Sequence, residues 1–259
     1  SCAQTHENAE QVDYYPNMYP DYADVTIPVN IAPLNFEIRD KHLTNIETIL
    51  TIEGADANDA DNTLTATSNS QNLKFDLDDW KAFLQKAVNK NVKVQIYSKS
   101  DDGEWTAFKS FKWQVVGDSI DPYLTYRLIE PDYEVWNKIQ IRQRCVENWK
   151  ETILTDHHLQ ENRCMNCHAF GNQDPNLSMV YVRGEGGGAI LNRNDKLRKL
   201  NLKTANMVSS SVYYGFDPSG RYVTFSTNII IPAFHANPDK RLEVYDSKSD
   251  VYVADLDNN

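Results

Sequence analysis

The chain has 259 residues, 41% of them hydrophobic and 24% charged, the balance of a folded globular protein with room for one large domain or two ordinary ones. A net charge of −11 and a pI of about 5.0 argue against nucleic acid or an anionic bilayer as a partner, since both call for a basic patch. No run of about 18 apolar residues offers a membrane-spanning helix.

The first residues, Ser1-Cys2-Ala3, lead into a polar, acidic stretch. This pattern is that of a bacterial lipoprotein cleavage site, with Ser1 as the last signal residue and Cys2 as the lipidated start of the mature chain. The alternative is an ordinary cysteine near the N-terminus. Residues 1–33 are tyrosine-rich and punctuated by Pro16, Pro20, Pro28 and Pro33, which predicts an extended tether and entry segment with little regular structure. Tyr14, Tyr15, Tyr19 and Tyr22 are expected to pack across a domain surface.

Residues 34–117 read as a β-sandwich-like domain with one packed helix. Leu34 to Ile38 and Ile46 to Ile52 alternate as strands do. Gly54 to Asn62 is a small, acidic loop. Its Asp56, Asp59 and Asp61 lack the glycine and the terminal glutamate of a calcium loop, so they are taken as solvated charge. Asp76 or Asp78 can cap a helix in which Trp80, Phe83, Leu84, Ala87 and Val88 recur at helical spacing. Val92 to Tyr97 is a strand, Asp101-Asp102-Gly103 a hairpin turn, and Trp105 to Val116 a second strand with Trp105, Phe111, Trp113 and Val115 on its core face.

Residues 118–183 form a connector. Asp121-Pro122-Tyr123 and Glu130-Pro131-Asp132 mark turns. Ile139 to Val146 alternates as a strand, with Cys145 as a buried free thiol. Glu147 to Leu154 is a strand or a helical turn.

Cys164-Met165-Asn166-Cys167-His168 is a C-x-x-C-H run, the spacing that attaches a c-type haem. Two thiols add to the vinyl groups of one porphyrin, and the adjacent imidazole reaches the iron from the proximal side. Other readings stay open. A thioredoxin-like pair lacks its βαβ surroundings. A zinc site lacks a second ligand pair at the right spacing, because only Cys145, His157 and His158 lie nearby. A disulfide-forming pair and a chance match remain. For a haem, Met179 is the first candidate for the sixth ligand by its closeness after the motif. His157, His158, Met207, His235 and Tyr181 are the others. Haem attachment in bacteria requires export, which agrees with a lipoprotein-like Cys2.

Residues 184–259 change texture. The glycines of Gly184 to Gly188 lack the Lys-Ser/Thr of a phosphate loop. Strands are expected at Ala189–Arg193, Leu197–Leu202, Val212–Phe216, Tyr222–Ser226, Leu242–Tyr245 and Val251–Asp255. Phe216-Asp217-Pro218-Ser219-Gly220-Arg221-Tyr222-Val223-Thr224-Phe225-Ser226 resembles the F-x-P-D-G-x-x-x-x-F-x-S core of a TolB-type (WD40-like) propeller blade, with Ser219 in place of the usual Asp. Asp250 to Leu256 resembles the D-I-Y-V-x-D-L strand that follows in such a blade. The resemblance covers about one to two blades of ~40 residues, too few to close a ring, so an incomplete propeller is expected.

Lipoprotein-like Cys2, a sandwich, C-x-x-C-H and TolB-type blades together resemble a family of exported Bacteroidetes lipoproteins. In these, a stretch like Asn166-Cys167-His168-Ala169-Phe170 leads through Asp174-Pro175 to an Arg-Gly pair like Arg183-Gly184. The family commonly has a histidine two residues before that pair, where this chain has Tyr181. The resemblance implies a periplasmic or outer-membrane setting, with the membrane reached only through Cys2, but no known activity. Two functions follow as expectations. One is a non-enzymatic haem c lipoprotein for electron transfer or haem-based sensing, with Cys164, Cys167, His168 and Met179 as haem residues and a redox protein as partner. Such a protein would be empty of haem if made without attachment machinery. The other is an envelope binding or scaffold protein whose blades hold a protein or a glycan, with the C-x-x-C-H structural or empty. A hydrolase finds no nucleophile–base pattern.

Overall fold

A computed structural model describes residues 6–40, 43–56, 59–101, 103–129, 138–156, 158, 164–234 and 242–258. Cys2, His157, His235, Asp102 of the hairpin turn and the turn at Glu130-Pro131-Asp132 lie outside them. The protein is mainly β, with one α-helix among the described residues. No described helix is long and apolar enough to cross a membrane. The chain divides into two units, residues 1–124 with 144–151, and residues 125–143 with 152–259.

The first unit opens with three short strands, β1 (Glu10–Gln11), β2 (Met18–Tyr19) and β3 (Thr26–Pro28). The entry segment, expected to be extended with little regular structure, contributes these short strands to the sheets of this unit. β4 (Phe36–Ile38), β5 (Leu43–Ile52), β6 (Thr63–Ser68) and β7 (Asn72–Leu73) follow, then α1 (Leu77–Lys86), β8 (Asn91–Ser100), β9 (Trp105–Ala107) and β10 (Phe111–Val116). β8 is the hub of a seven-stranded sheet: β5 pairs along one edge, and β9 and β10 share the other. The run from Trp105 to Val116, expected as one strand, is thus two, and Phe108 at the break donates its N–H to Ile96 O. β1 adds in parallel to β9, and β3 in parallel to β10. β2, β4 and β7 form a separate sheet.

The Asp76 carboxylate caps α1 by accepting from the N–H groups of Asp78 and Asp79. Trp80, Phe83 and Leu84 then face a core that also holds Leu50, Val94, Phe111 and Trp113. Both buried indoles find acceptors: Trp80 Nε1 donates to Ile31 O at 2.9 Å, and Trp113 Nε1 to Tyr22 O at 2.7 Å. Tyr14 and Tyr15 lie exposed with their rings edge-on to Phe108 and Phe111. His6 sits between Tyr97 and Trp105, and its Nε2 is 3.0 Å from Glu47 Oε2 with both side chains buried. Residues 144–151 complete this unit: Ala32 donates to Val146 O, and Trp149 Nε1 to Pro33 O. Cys145 is a buried free thiol.

The second unit draws on three sheets. β11 (Tyr123–Leu128), β12 (Gln140–Cys145) and β13 (Glu151–Asp156) form one in that order. β14 (Met165–Gly171), β15 (Asp174–Val182), β16 (Gly188–Arg193) and β17 (Lys196–Leu200) form an antiparallel meander. β18 (Val212–Phe216), β19 (Tyr222–Phe234) and β20 (Leu242–Asp255) form a third sheet. Two turns of the meander are two-residue loops: Asn172-Gln173 and Asn194-Asp195 each hold φ between 50° and 60° at both positions, the mirror-image geometry that suits hairpins. Met179, Leu191 and Leu200 of the meander share one core with Tyr214, Val223 and Phe225 of the third sheet and with Leu256 just after it. The expected Pro218-Gly220 turn joins β18 to β19, with Gly220 at φ +68° and the Asp217 carboxylate accepting from Tyr222 N–H and the Ser219 hydroxyl. The strands expected at Leu242–Tyr245 and Val251–Asp255 are one, β20, paired along the whole of β19.

Candidate functional site

β14 carries the C-x-x-C-H run after Cys164. Its ladder to β15 pairs Met165 with Val182 and Asn166 with Tyr181, then skips Cys167 and resumes at His168 with Val180. Cys167 is the extra residue of a β-bulge, held at φ +48°. Its N–H donates to Asn166 Oδ1 at 2.8 Å. The Arg127 guanidinium donates to the same oxygen. Asn166, the second variable residue of the motif, thereby stabilises the bulge.

The bulge decides which way the chemistry faces. Beyond it, His168, Ala169 and Phe170 oppose Val180, Met179 and Ser178, so His168 and Phe170 share one face and Ala169 and Met179 the other. Ala169, Cys167 and Tyr181 pack against the core that contains Met179. His168 turns instead to a cavity of about 320 Å³ between this meander and strands β12 and β13. Met179 borders that cavity too, between Ser178 and Val180, but by register it belongs to the opposite face and is part of the core there. Thus Cys167 and Met179 lie on one face, and His168 lies on the other.

Cys164 precedes the strand, half-buried, with its carbonyl accepting from Arg183 N–H at 2.8 Å. Burial pushes its thiol above the ordinary value; Arg183 opposes this, and Cys167 adds to it. Burial holds the His168 imidazole below its ordinary value, and the Arg127 guanidinium adds to that, so the ring is neutral at pH 7. Cys164 and Cys167 are free thiols. Among the described residues, no group of three or more His, Cys, Asp or Glu side chains gathers as a ligand set.

A c-type haem needs both thiols and the imidazole at one porphyrin. A neutral imidazole beside an apolar cavity meets one part of that need. The opposed faces of Cys167 and His168 fail the other, so this strand as folded does not fit the group. Met207 packs against the core that contains Met179, its sulfur accepting from Thr204 N–H. His158 is exposed, with its backbone N–H donating to Asp156 Oδ1.

The cavity contains polar groups that the motif did not announce. Among the described residues, no Asp, Glu, Lys or Arg lines it. Thr155 and Asn192 belong to its lining, and Thr155 Oγ1 and Asn192 Oδ1 are buried without a hydrogen-bond partner among the described residues. Asn192 shares the His168 face because it pairs with Ser178, as Phe170 does. Reading the Asn172-Gln173 and Asn194-Asp195 turns as hairpins would have brought these residues together from sequence. Nothing local marks Thr155 or Arg127. No protein-family model matches the chain, and no curated protein matches it.

Proposed function

We propose that this is an exported envelope protein, anchored through a lipid on Cys2, that works by binding a protein partner and not by catalysis. In this reading the meander β14–β17 and the sheet β18–β20 are blades of a TolB-type propeller. Their antiparallel order and common core support it, since four-stranded antiparallel sheets are the unit of a propeller. The C-x-x-C-H strand is then the first strand of a blade, with Cys167 as packing. The observation that carries this reading is the opposed placement of Cys167 and His168 across β14.

A second reading keeps a covalent haem c for electron transfer or sensing, on Cys164, Cys167 and His168. The neutral His168 facing an apolar cavity favours it. It requires the Met165–His168 segment to leave its ladder with β15. The chain should be co-expressed with c-type haem attachment machinery, then assayed by pyridine haemochrome spectrum and intact mass. The expected result is the mass of the polypeptide and its lipid, with alkylatable thiols at Cys164 and Cys167. A covalently added haem would overturn the binding reading and establish the second.

A further inference from the structure

We propose that the outer edge of β17 is a docking site for an extended, acidic segment of a partner protein, which adds to the β14–β17 meander as a further strand. The inference rests on the reading of this chain as a binding protein and names the chemistry of its partner. β17 ends the meander, and among the described residues only β16 pairs with it. Its other edge presents alternate N–H and C=O groups, the template on which an extended peptide builds a ladder. The charge beside that edge selects the peptide. Lys196, Arg198, Lys199 and Lys203 put four cations and no acid into residues 196–203, within a chain of net charge −11. All four are exposed, and none has an acidic partner among the described residues. Arg193, just before this stretch, is by contrast paired with Asp257. Lysines on a strand edge keep like-charged strands away, so two copies of β17 repel one another, but they admit a strand of opposite sign. The alternation of β17 adds detail. Lys196 and Arg198 share one of its faces, and Leu197, 73% exposed, lies on the other. The matching segment has acids at i and i+2, opposite the two cations, and an apolar residue between them, opposite Leu197. A membrane or a nucleic acid would use the charge but leave the backbone groups of the edge unpaired, so a peptide is the occupant that answers both features.

A capped, fluorescently labelled peptide of alternating glutamate and valine is a suitable probe. Titrated into the whole haem-free chain at low salt, it should show saturable one-to-one binding that weakens as salt is raised, with slowed amide exchange across Lys196–Leu200. The same peptide with lysine for glutamate should not bind. An analogue N-methylated throughout keeps the charge but cannot complete a ladder, and it should bind about tenfold more weakly, the worth of one to two ordinary hydrogen bonds. Lys196→Gln combined with Arg198→Gln removes two exposed charges and should weaken the acidic peptide by about fivefold. Leu197→Asp places an acid at the centre of the edge and should weaken it in the same direction, which preserves the test if the double variant does not fold. Non-saturable binding, equal affinity for the lysine or the N-methylated peptide, unchanged exchange over β17, or unchanged affinity in folded variants would overturn the proposal. So would phosphatidylglycerol vesicles or single-stranded DNA that bind more tightly than the peptide. The haemochrome experiment reads a covalent mass, whereas this titration reads one strand edge of the haem-free chain, so failure of one reading is distinguishable from failure of the other.

Discussion

Burial and the Arg127 guanidinium both disfavour a proton on His168. Its NMR titration should therefore have a midpoint below the usual 6.5, and Arg127→Gln should bring it part of the way back, since burial is the larger cause. The same shift makes folding pH-dependent. A histidine whose folded value is depressed contributes stability that is present above its unfolded pKa and is lost as pH falls through the folded value. Urea midpoints should accordingly fall more between about pH 7 and about pH 5 in the wild type than in His168→Asn. Cys164 should react with iodoacetamide at neutral pH more slowly than a free cysteine, because burial holds its thiol protonated; peptide mass spectrometry reads this directly. Residue spacing was enough to single out Cys164, Cys167 and His168. It could not show that they would be dealt to two sides of a sheet, because that depends on a bulge formed with Tyr181 and Val180 more than ten residues later.

Helix α1 and most strands follow from local chemistry: an aspartate cap with an apolar stripe, or period-two alternation between turn residues. Where the reading failed, register had slipped. The alternation of β20 is interrupted at Ser247, opposite the step from Ile229 to Ile230, and one strand then looks like two. β14 hides its period behind Asn166, Cys167 and His168 and the bulge they make. At the start of β15, Pro175 lies in an unpaired stretch where no N–H is needed, and Leu177 follows it. A Cβ added to Gly171 or Gly220 would lie 2.3 Å or 2.5 Å from Leu177 Cδ2, so the two glycines make the space this side chain fills. Gly220 also holds φ +68°. Gly220→Ala should destabilise the second unit by about 1–2 kcal/mol from backbone strain alone, measured by urea unfolding. Gly171 keeps an unstrained backbone, so Gly171→Ala should cost less if Leu177 can yield.

Across the whole chain, the N-terminal residues show what sequence leaves out. Proline and tyrosine content predicts an extended segment with little regular structure, and strands of two or three residues leave no periodicity from which to read their sheets. β1 and β3 pair with partners some 90 residues away, as Ile27 with Val115 illustrates, and β2 pairs with β4 about 20 residues on. His6 anchors the start of this segment against Glu47, Tyr97 and Trp105. His6→Ala should lower stability by about 1–3 kcal/mol, the cost of leaving a buried polar group without its partner, read from a shifted denaturant midpoint at unchanged slope.

The pinning of His6 also fixes a distance. Four residue steps separate it from Cys2, which at ~3.6 Å each span at most about 14 Å. A lipid on Cys2 would therefore leave the seven-stranded sheet standing just clear of the headgroups, on a stub shorter than half the ~30 Å thickness of a bilayer core. On the proposed anchor, this sheet could then move only within that short radius of its lipid.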